Sequence, residues 1–289
     1  MTQTKTQWTI RALLNWTINY FKTKGIESAR LDAEVLLAHL LHKDRIYLYV
    51  HFDEPMQENE LSVFREYVKQ RAMHKPVAYI IGEKEFMGLP FKVTPSVLIP
   101  RPDTEILVEN VISQLNKDDA VEIADIGTGS GAIILSLLAN LKQAHGCGVD
   151  ISDEALAVAQ QNAAALEVSE RCELLSGDLF EPLQGRTFDV VVSNPPYIPK
   201  EDMAGLDDDV KKYEPVSALT DGGDGLSYYR RLFAEGMNYL RDDGFMAVEI
   251  GIYEAAAVSD IAEQNGWRDI KIIKDYAGID RVVMAWKQN

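Results

Sequence analysis

Asp125-Ile126-Gly127-Thr128-Gly129-Ser130-Gly131 closes an apolar stretch, residues 121–126, and opens another, residues 132–140. The first reads as a buried strand and the second as a helix. Alternating glycines at such a junction let the backbone turn sharply and approach a ligand closely, and the N-terminus of the following helix favours a carboxylate or a phosphate. Read as G-x-G-x-x-A, Gly127 to Ala132 also satisfies a dinucleotide fingerprint. The loop therefore points to a nucleoside-containing cofactor without choosing which one. The bland alternative is a glycine-rich connection made only for tight strand–helix packing.

Outward from this loop, strands and helices alternate. Residues 146–149 predict the next strand and 153–166 the next helix, with further strands at 172–175 and 188–193. A helix near 228–240 precedes a strand at 244–250, a helix at 255–265 follows, and two strands near 267–273 and 281–286 end the pattern. Such alternation implies an α/β fold with a parallel sheet and helices on both faces. No helix separates the last two strands, so they are expected to pair antiparallel. The expected sheet has seven strands, with one reversed at the edge.

Residues 1–80 read differently. Leu13, Leu14, Thr17, Ile18 and Phe21 form one stripe, Gly25 supplies a stop, and Ser28 is a candidate N-cap for a helix carrying Leu31, Val35, Leu36, Ala38 and Leu40. A third helix is expected from about Gln57 to His74. Helices this short need one another, so a small bundle is predicted. Residues 84–87 and 91–93, joined through Gly88-Leu89-Pro90, read as a hairpin or linker. The expected organisation is a helical domain at 1–80, a hairpin linker at 81–100 and a catalytic domain at 101–289.

The net charge is −16 over 289 residues, but residues 1–80 carry +2 and residues 81–289 carry −18. The acidic part argues against a protein that holds nucleic acid along its surface, since phosphates would be repelled. No apolar stretch is long enough to cross a membrane. Met1–Gln7 lacks the apolar core of a signal peptide, and two cysteines, Cys147 and Cys172, fit a reducing cytoplasm better than a disulfide scaffold. Both are expected to be buried and inert. The five histidines show no metal-ligand spacing, so no metal is expected. Asp207-Asp208-Asp209 reads as a solvated face that could also meet a basic partner.

Three further sites follow strand ends. Asp150 stands 23 residues after Gly127 and is suited to both hydroxyls of a ribose, or to capping the next helix. Asp178 and Leu179 could border an adenine, with a turn-capping Asp as the alternative. The decisive string is Ser193-Asn194-Pro195-Pro196-Tyr197, directly after Val190-Val191-Val192. Pro196 offers no competing N–H, so the Asn194 side-chain oxygen and the Pro195 carbonyl can both accept from one planar NH2 group, with Tyr197 packed beside it. Amide and exocyclic amino nitrogens are poor nucleophiles. Holding both hydrogens while aiming the lone pair at a methyl sulfonium suits their methylation.

At these residues the chain resembles the HemK/PrmC family of peptide chain release factor N5-glutamine methyltransferases, over nearly its full length. The resemblance runs through Pro76-Val-Ala-Tyr79, Val97-Leu-Ile-Pro-Arg-Pro-Asp-Thr-Glu105, Asp125–Gly131, Gly177-Asp-Leu-Phe-Glu-Pro182, Asn194–Tyr197, Tyr213-Glu-Pro215, Asp224-Gly-Leu226, Glu249-Ile-Gly251 and Arg281-Val282. It implies a class I, Rossmann-like S-adenosylmethionine-dependent methyltransferase with a small helical N-terminal domain that helps grip a release factor. It further implies that Gly127, Thr128, Gly129, Ser130 and Gly131 wrap the methionine end of the cofactor, that Asp150 holds its ribose, and that Asp178 and Leu179 border its adenine. Asn194 would touch the cofactor and, with Pro195, Pro196 and Tyr197, orient the glutamine of a Gly-Gly-Gln motif. A cytoplasmic monomer without a stable nucleic acid partner is expected.

The Asn-Pro-Pro-Tyr element is shared with DNA adenine-N6 methyltransferases, so the Ile-Pro-Arg-Pro-Asp-Thr-Glu string and the helical unit are what point to glutamine. Asp103 stands where Glu is more usual in the family, and Ile252-Tyr253 replaces a Gln-containing continuation. The rival readings are glutamine methylation of a large-subunit ribosomal protein, methylation of DNA adenine, an NAD-dependent dehydrogenase that leaves Asn194–Tyr197 unexplained, and a non-catalytic cofactor-binding adaptor. Glu249 could orient the loop or form a structural ion pair.

Overall fold

A computed structural model describes residues 8–116 and 118–287. The leader reading of Met1–Gln7 lies outside the described residues. The chain divides into two compact units, residues 1–82 with Asp207–Tyr213, and Glu83–Leu206 with Glu214–Asn289.

The first unit begins with α1 (Ile10–Thr23), α2 (Ala29–Leu41), α3 (Arg45–Val50), α4 (Glu58–Ala72) and α5 (Val77–Ile81). Thr9 caps α1 by accepting from the Ala12 N–H at 3.3 Å, and Gly25 at φ 74° takes the chain out of it. Leu13, Leu14 and Phe21 meet Leu36, Leu37, Phe64 and Val68 in one core. The α2 stripe is rotated from the expected one: Leu31 is 48% exposed, and Ala33, Leu36 and Leu37 take the inner positions. Ser28 precedes α2 as expected, yet its hydroxyl donates to the Asp32 carboxylate at 2.8 Å and caps no backbone N–H.

That carboxylate belongs to a buried ionic knot. Arg71, on the inner side of α4, donates to Asp32 at 2.6 Å and to Asp209 at 2.7 Å, with only 6% of its side chain exposed. Removing one partner from such a buried pair typically costs about 3–5 kcal/mol, because the other charge is left in apolar surroundings. Asp209 also faces His74, and Asp208 binds Lys212. The acidic run is therefore half internal to this unit rather than the solvated face expected.

The second unit opens with β1 (Glu83–Phe86) and β2 (Leu89–Lys92), an antiparallel hairpin. Its turn is Met87-Gly88, both at positive φ, so Leu89 and Pro90 lie on the strand rather than in the turn. The chain then runs α6 (Glu105–Gln114), β3 (Glu122–Ile126), α7 (Ala132–Asn140), β4 (His145–Asp150), α8 (Asp153–Ala165), β5 (Cys172–Ser176) and β6 (Phe188–Ser193). After α9 (Asp208–Tyr213), which belongs to the first unit, come α10 (Ser227–Glu235), β7 (Leu240–Glu249), α11 (Ala255–Gln264), β8 (Arg268–Lys274) and β9 (Asp280–Trp286).

The seven strands order as β5-β4-β3-β6-β7-β9-β8, all parallel except β9. The reversed strand is thus not at the edge. β9 is inserted between β7 and β8, where its run Val282–Ala285 is completely buried while β8 stays largely exposed. Alternate residues serve opposite faces: Ile123, Val190, Val192 and Ala247 pack with α6 and α7, whereas Ala124, Val191, Met246 and Val248 pack with α10 and α11. Chain order reverses about β3, which pairs with both β4 and β6. Ligands in open α/β sheets settle beyond the carboxyl ends of strands at such a point.

Candidate active site

Strand register brings the motifs together. Ile126 lies opposite Val149 on one side and Ser193 on the other, so the loops after β3, β4 and β6 leave the sheet side by side. The Ser193 hydroxyl donates to the Ile126 carbonyl at 2.7 Å, tying two of these ends together.

The glycine loop is held from below. Gly127 and Thr128 donate their N–H groups to the Val149 carbonyl at 2.8 and 2.9 Å, and the Thr128 hydroxyl donates to Asp125 at 2.7 Å. Gly127, Gly129 and Gly131 take φ of 76°, 56° and 79°, a region that favours glycine. No atom lies within 4 Å of where a Cβ on Gly127 or Gly129 would stand, so the backbone faces open space there. A Cβ on Gly131 would instead meet Leu135 at 2.8 Å, so this glycine serves the packing of α7. Beneath the loop, burial pushes the Asp125 carboxyl up to about 7 against the stabilising Thr128 hydroxyl.

The loop lines a cavity of about 430 Å³, within the usual range for ligand pockets of roughly 300–1,000 Å³. Thr128 and Ser130 line it with Gly127 and Gly129, as do Asp150, Asp178, Leu179, Asn194, Pro195 and Pro196, whereas Gly131 is not among the lining residues. Asp150 accepts from the N–H of Gly129 at 2.8 Å and of Ser152 at 2.9 Å, which fixes its carboxylate at the rim with lone pairs to spare. Asp178 is bound by Arg231 at 2.7 and 3.1 Å, a pairing the sequence pattern did not show. Leu179 is buried at φ 50°.

Asn194 donates its side-chain NH2 to the Thr104 hydroxyl at 3.3 Å. Tyr197 departs from expectation. It is not among the residues lining the cavity, and its hydroxyl donates to Glu249 at 3.2 Å, so it supports the loop from behind. Glu249 is 1% exposed; burial pushes its carboxyl up, opposed by the Thr104 and Tyr197 hydroxyls and by Arg281. Burial and the neighbouring Glu249 charge likewise raise the Tyr197 phenol.

Sequence reasoning passed over several participants. Thr104 and Arg101 line the cavity from the segment before α6, and Arg101 binds the buried Glu214 at 2.5 Å. Ile151, 72% exposed beside Asp150, gives the cavity an apolar platform for a flat ring. Gly225 packs against the backbone of Tyr197. For Arg101, Thr104, Glu214 and Gly225 the signal lay in strings already visible, Arg101-Pro-Asp-Thr104, Tyr213-Glu-Pro215 and Asp224-Gly-Leu226, whose partners are far away in sequence.

The open glycine cradle, the carboxylates of Asp150, Asp178 and Glu154 at the rim, and the Ile151 platform fit a cationic nucleoside such as S-adenosylmethionine. Among the described residues, no group of three His, Cys, Asp or Glu side chains is placed to hold a metal, and no helix is long and apolar enough to cross a membrane.

Comparison with known proteins agrees with this geometry. Residues 12–82 match the PrmC N-terminal domain and residues 102–208 the methyltransferase small domain. The chain is 45% identical to a release factor glutamine methyltransferase of Geobacter sulfurreducens, covering 98% of each chain, and 41% identical to one of Rhodopirellula baltica, covering 99% of each. Among solved structures, a methyltransferase from Pyrococcus furiosus superposes with a TM-score of 0.53 at 17% identity, over 81% of this chain and 100% of that one. The hMettl16 catalytic domain, in complex with a MAT2A 3'UTR hairpin, gives 0.55 at 16% identity, over 82% and 84%. At these identities the two structures speak for the Rossmann-like methyltransferase fold alone. Identity above 40% along nearly the whole chain carries more, and with it this chain belongs to the release factor glutamine methyltransferase family.

Proposed function

We propose that the chain transfers the methyl group of S-adenosylmethionine to the side-chain amide nitrogen, N5, of the glutamine in the Gly-Gly-Gln motif of peptide chain release factors. The observation that carries this reading is the placement of Asn194 and Pro195 at the end of β6, on the same cavity as the glycine loop at the end of β3. S-adenosylmethionine supplies an electrophilic methyl on a sulfonium. Gly127, Thr128, Gly129, Ser130 and Gly131 hold the methionine end, Asp150 the ribose, and Asp178 with Leu179 the adenine.

The Asn194 side-chain oxygen and the Pro195 carbonyl accept the two hydrogens of the glutamine amide. Its nitrogen lone pair is then aimed along the line of displacement, an orientation that substitutes for intrinsic nucleophilicity. One nitrogen–carbon bond forms as one sulfur–carbon bond breaks, and the extra proton on nitrogen leaves to solvent, so no general base is required beforehand. Pro196 keeps the loop rigid and Tyr197 braces it through Glu249.

In this reading residues 1–80 recognise the protein substrate, residues 81–100 link, and residues 101–289 catalyse. The enzyme works as a cytoplasmic monomer with no stable nucleic acid partner and no membrane. Incubation with purified release factor and S-adenosylmethionine, followed by mass spectrometry of the Gly-Gly-Gln peptide, is expected to place one methyl on the glutamine. Methyl found only on a ribosomal protein or on DNA offered in parallel, or on nothing, overturns the assignment.

A further inference from the structure

Asn162 stands on the inner face of α8, 1% exposed and behind the wall of the cavity rather than in it. Its NH2 donates to the Ser130 carbonyl at 2.8 Å and to the Lys92 carbonyl at 3.0 Å, and its oxygen accepts from the Lys92 N–H at 2.7 Å. Both hydrogens and the oxygen are engaged. Exchanging nitrogen and oxygen would set an oxygen against two carbonyls and an NH2 against an N–H, so the partners fix the orientation. Lys92 ends β2, which pairs with β1, and the Asn162 amide meets the main chain of Lys92 as a third strand would.

The bond to Ser130 reaches the glycine loop. Ser130 lies between Gly129 and Gly131, at φ 56° and 79°, and glycine holds no conformation by itself. Side chains from outside the loop hold it instead. Asp150 accepts the Gly129 N–H at 2.8 Å, and Asn162 donates to the carbonyl of the next residue. Helix α8 comes near enough because its facing residues are small. Ala155, Ala159 and Asn162 share one face, and a Cβ on Gly131 would stand 3.3 Å from that of Ala159. Ser130 is itself 4% exposed, so a carbonyl deprived of Asn162 would be buried unpaired, and its peptide would turn to find another donor.

We propose that Asn162 is a positioning residue for S-adenosylmethionine: the main chain of Lys92 fixes the Asn162 amide, and the amide fixes the Ser130 carbonyl, so the glycine loop has its binding shape before the cofactor arrives. This rests on the reading of that loop as the holder of the methionine end. A loop that is ordered only on binding takes the cost from affinity, and the apparent Kd rises as the competent fraction falls.

Asn162→Asp keeps the shape and the acceptor for Lys92 and loses both donors. Its calorimetric Kd for S-adenosylmethionine is expected to rise on the order of tenfold, as for a competent fraction of about one-tenth. Saturating cofactor restores the loop, so kcat on release factor should stay within about threefold of wild type. Asn162→Ala, where water can reach the vacated groups, should show the same split. Val168→Ala, in the core just beyond α8, is the control for stability alone and should lower Tm while leaving Kd unchanged.

A second readout needs no turnover. Amide hydrogen exchange over residues 127–135 should be faster in cofactor-free Asn162→Asp than in cofactor-free wild type, and saturating S-adenosylmethionine should erase the difference. Unchanged Kd and exchange in the folded variants, or an equal rise of Kd in Val168→Ala, overturns the proposal. Loss of the fold in both Asn162 variants makes the residue merely structural and overturns it as well. If the wild type binds no S-adenosylmethionine, the reading of the loop fails instead, and exchange in the free protein still judges the anchoring.

Discussion

Gly225 offers a direct test of how the Asn194–Tyr197 loop, proposed to orient the glutamine, is held. It sits at φ 83°, and a Cβ built on it would stand 2.2 Å from the Tyr197 carbonyl oxygen and 3.0 Å from a Glu254 oxygen. Carbon and carbonyl oxygen approach to about 3.3 Å at closest, so Gly225→Ala requires a displacement of about 1 Å. The Gly225 side cannot supply it. The Asp221 carboxylate pins that turn, accepting from the N–H groups of Gly223 at 2.8 Å, Ser227 at 3.0 Å and Gly225 at 3.1 Å.

The Tyr197 side must therefore move, and the two prolines before it transmit the shift to Asn194 and Pro195. A misplacement of about 1 Å at a reacting centre can cost about 10²-fold, or about 2.7 kcal/mol of transition-state stabilisation. The left-handed backbone adds about 1–2 kcal/mol of destabilisation. The expected result is a folded variant with kcat on release factor down about 100-fold and a calorimetric Kd for S-adenosylmethionine near that of the wild type, because the glycine loop is untouched. Wild-type kcat in a folded Gly225→Ala protein would refute the reasoning. So would a loss confined to cofactor affinity.

Asn194→Ala removes an acceptor without disturbing the glycine loop, so transfer should become undetectable in a labelled-methyl assay while S-adenosylmethionine still binds; near wild-type transfer would sink the assigned role. Asp125, whose carboxyl burial raises from 3.8 to about 7, makes stability fall as pH rises between those values, since the folded protein keeps a proton that the unfolded chain releases. At about 1.4 kcal/mol per pH unit the penalty reaches roughly 4 kcal/mol by pH 7 and is constant above it. Urea titrations of wild type and Asp125→Asn from pH 4 to 8 should differ by an amount that changes with pH, and a pH-independent difference would contradict this. Burial pushes the Cys147 thiol up to about 11 and the Cys172 thiol to about 12, so iodoacetamide at pH 8 should alkylate neither until the protein is unfolded.

Much of the fold was legible locally. The alternation around the glycine loop, the apolar strand Val190–Val192 and the Phe64/Val68 spacing each show their structure within a few residues, because strand and helix periods are local properties. Other parts were not. Glu105–Gln114 forms α6, where the sequence reading placed no element, because its β-branched residues suit a buried strand as readily as a helix. The inner face of α2 was misjudged because Asp32 and Glu34 are buried there, and acidic side chains read as surface until their arginine partners are known.

The sequence by itself determined the fold class, the glycine loop after β3, the proline-fixed loop after β6 and the family, since glycine and proline impose their conformations wherever they stand. Only the tertiary structure decided that β9 enters between β7 and β8, that Tyr197 stands behind the cavity with its hydroxyl on Glu249, and that Asn194 turns its NH2 to Thr104. These arrangements depend on hydrogen bonds between residues 52 and 90 positions apart. A hydroxyl or carboxylate does not carry its partner in its own sequence. Strand pairing and packing bring the partner, and until they do, donor and acceptor remain undefined.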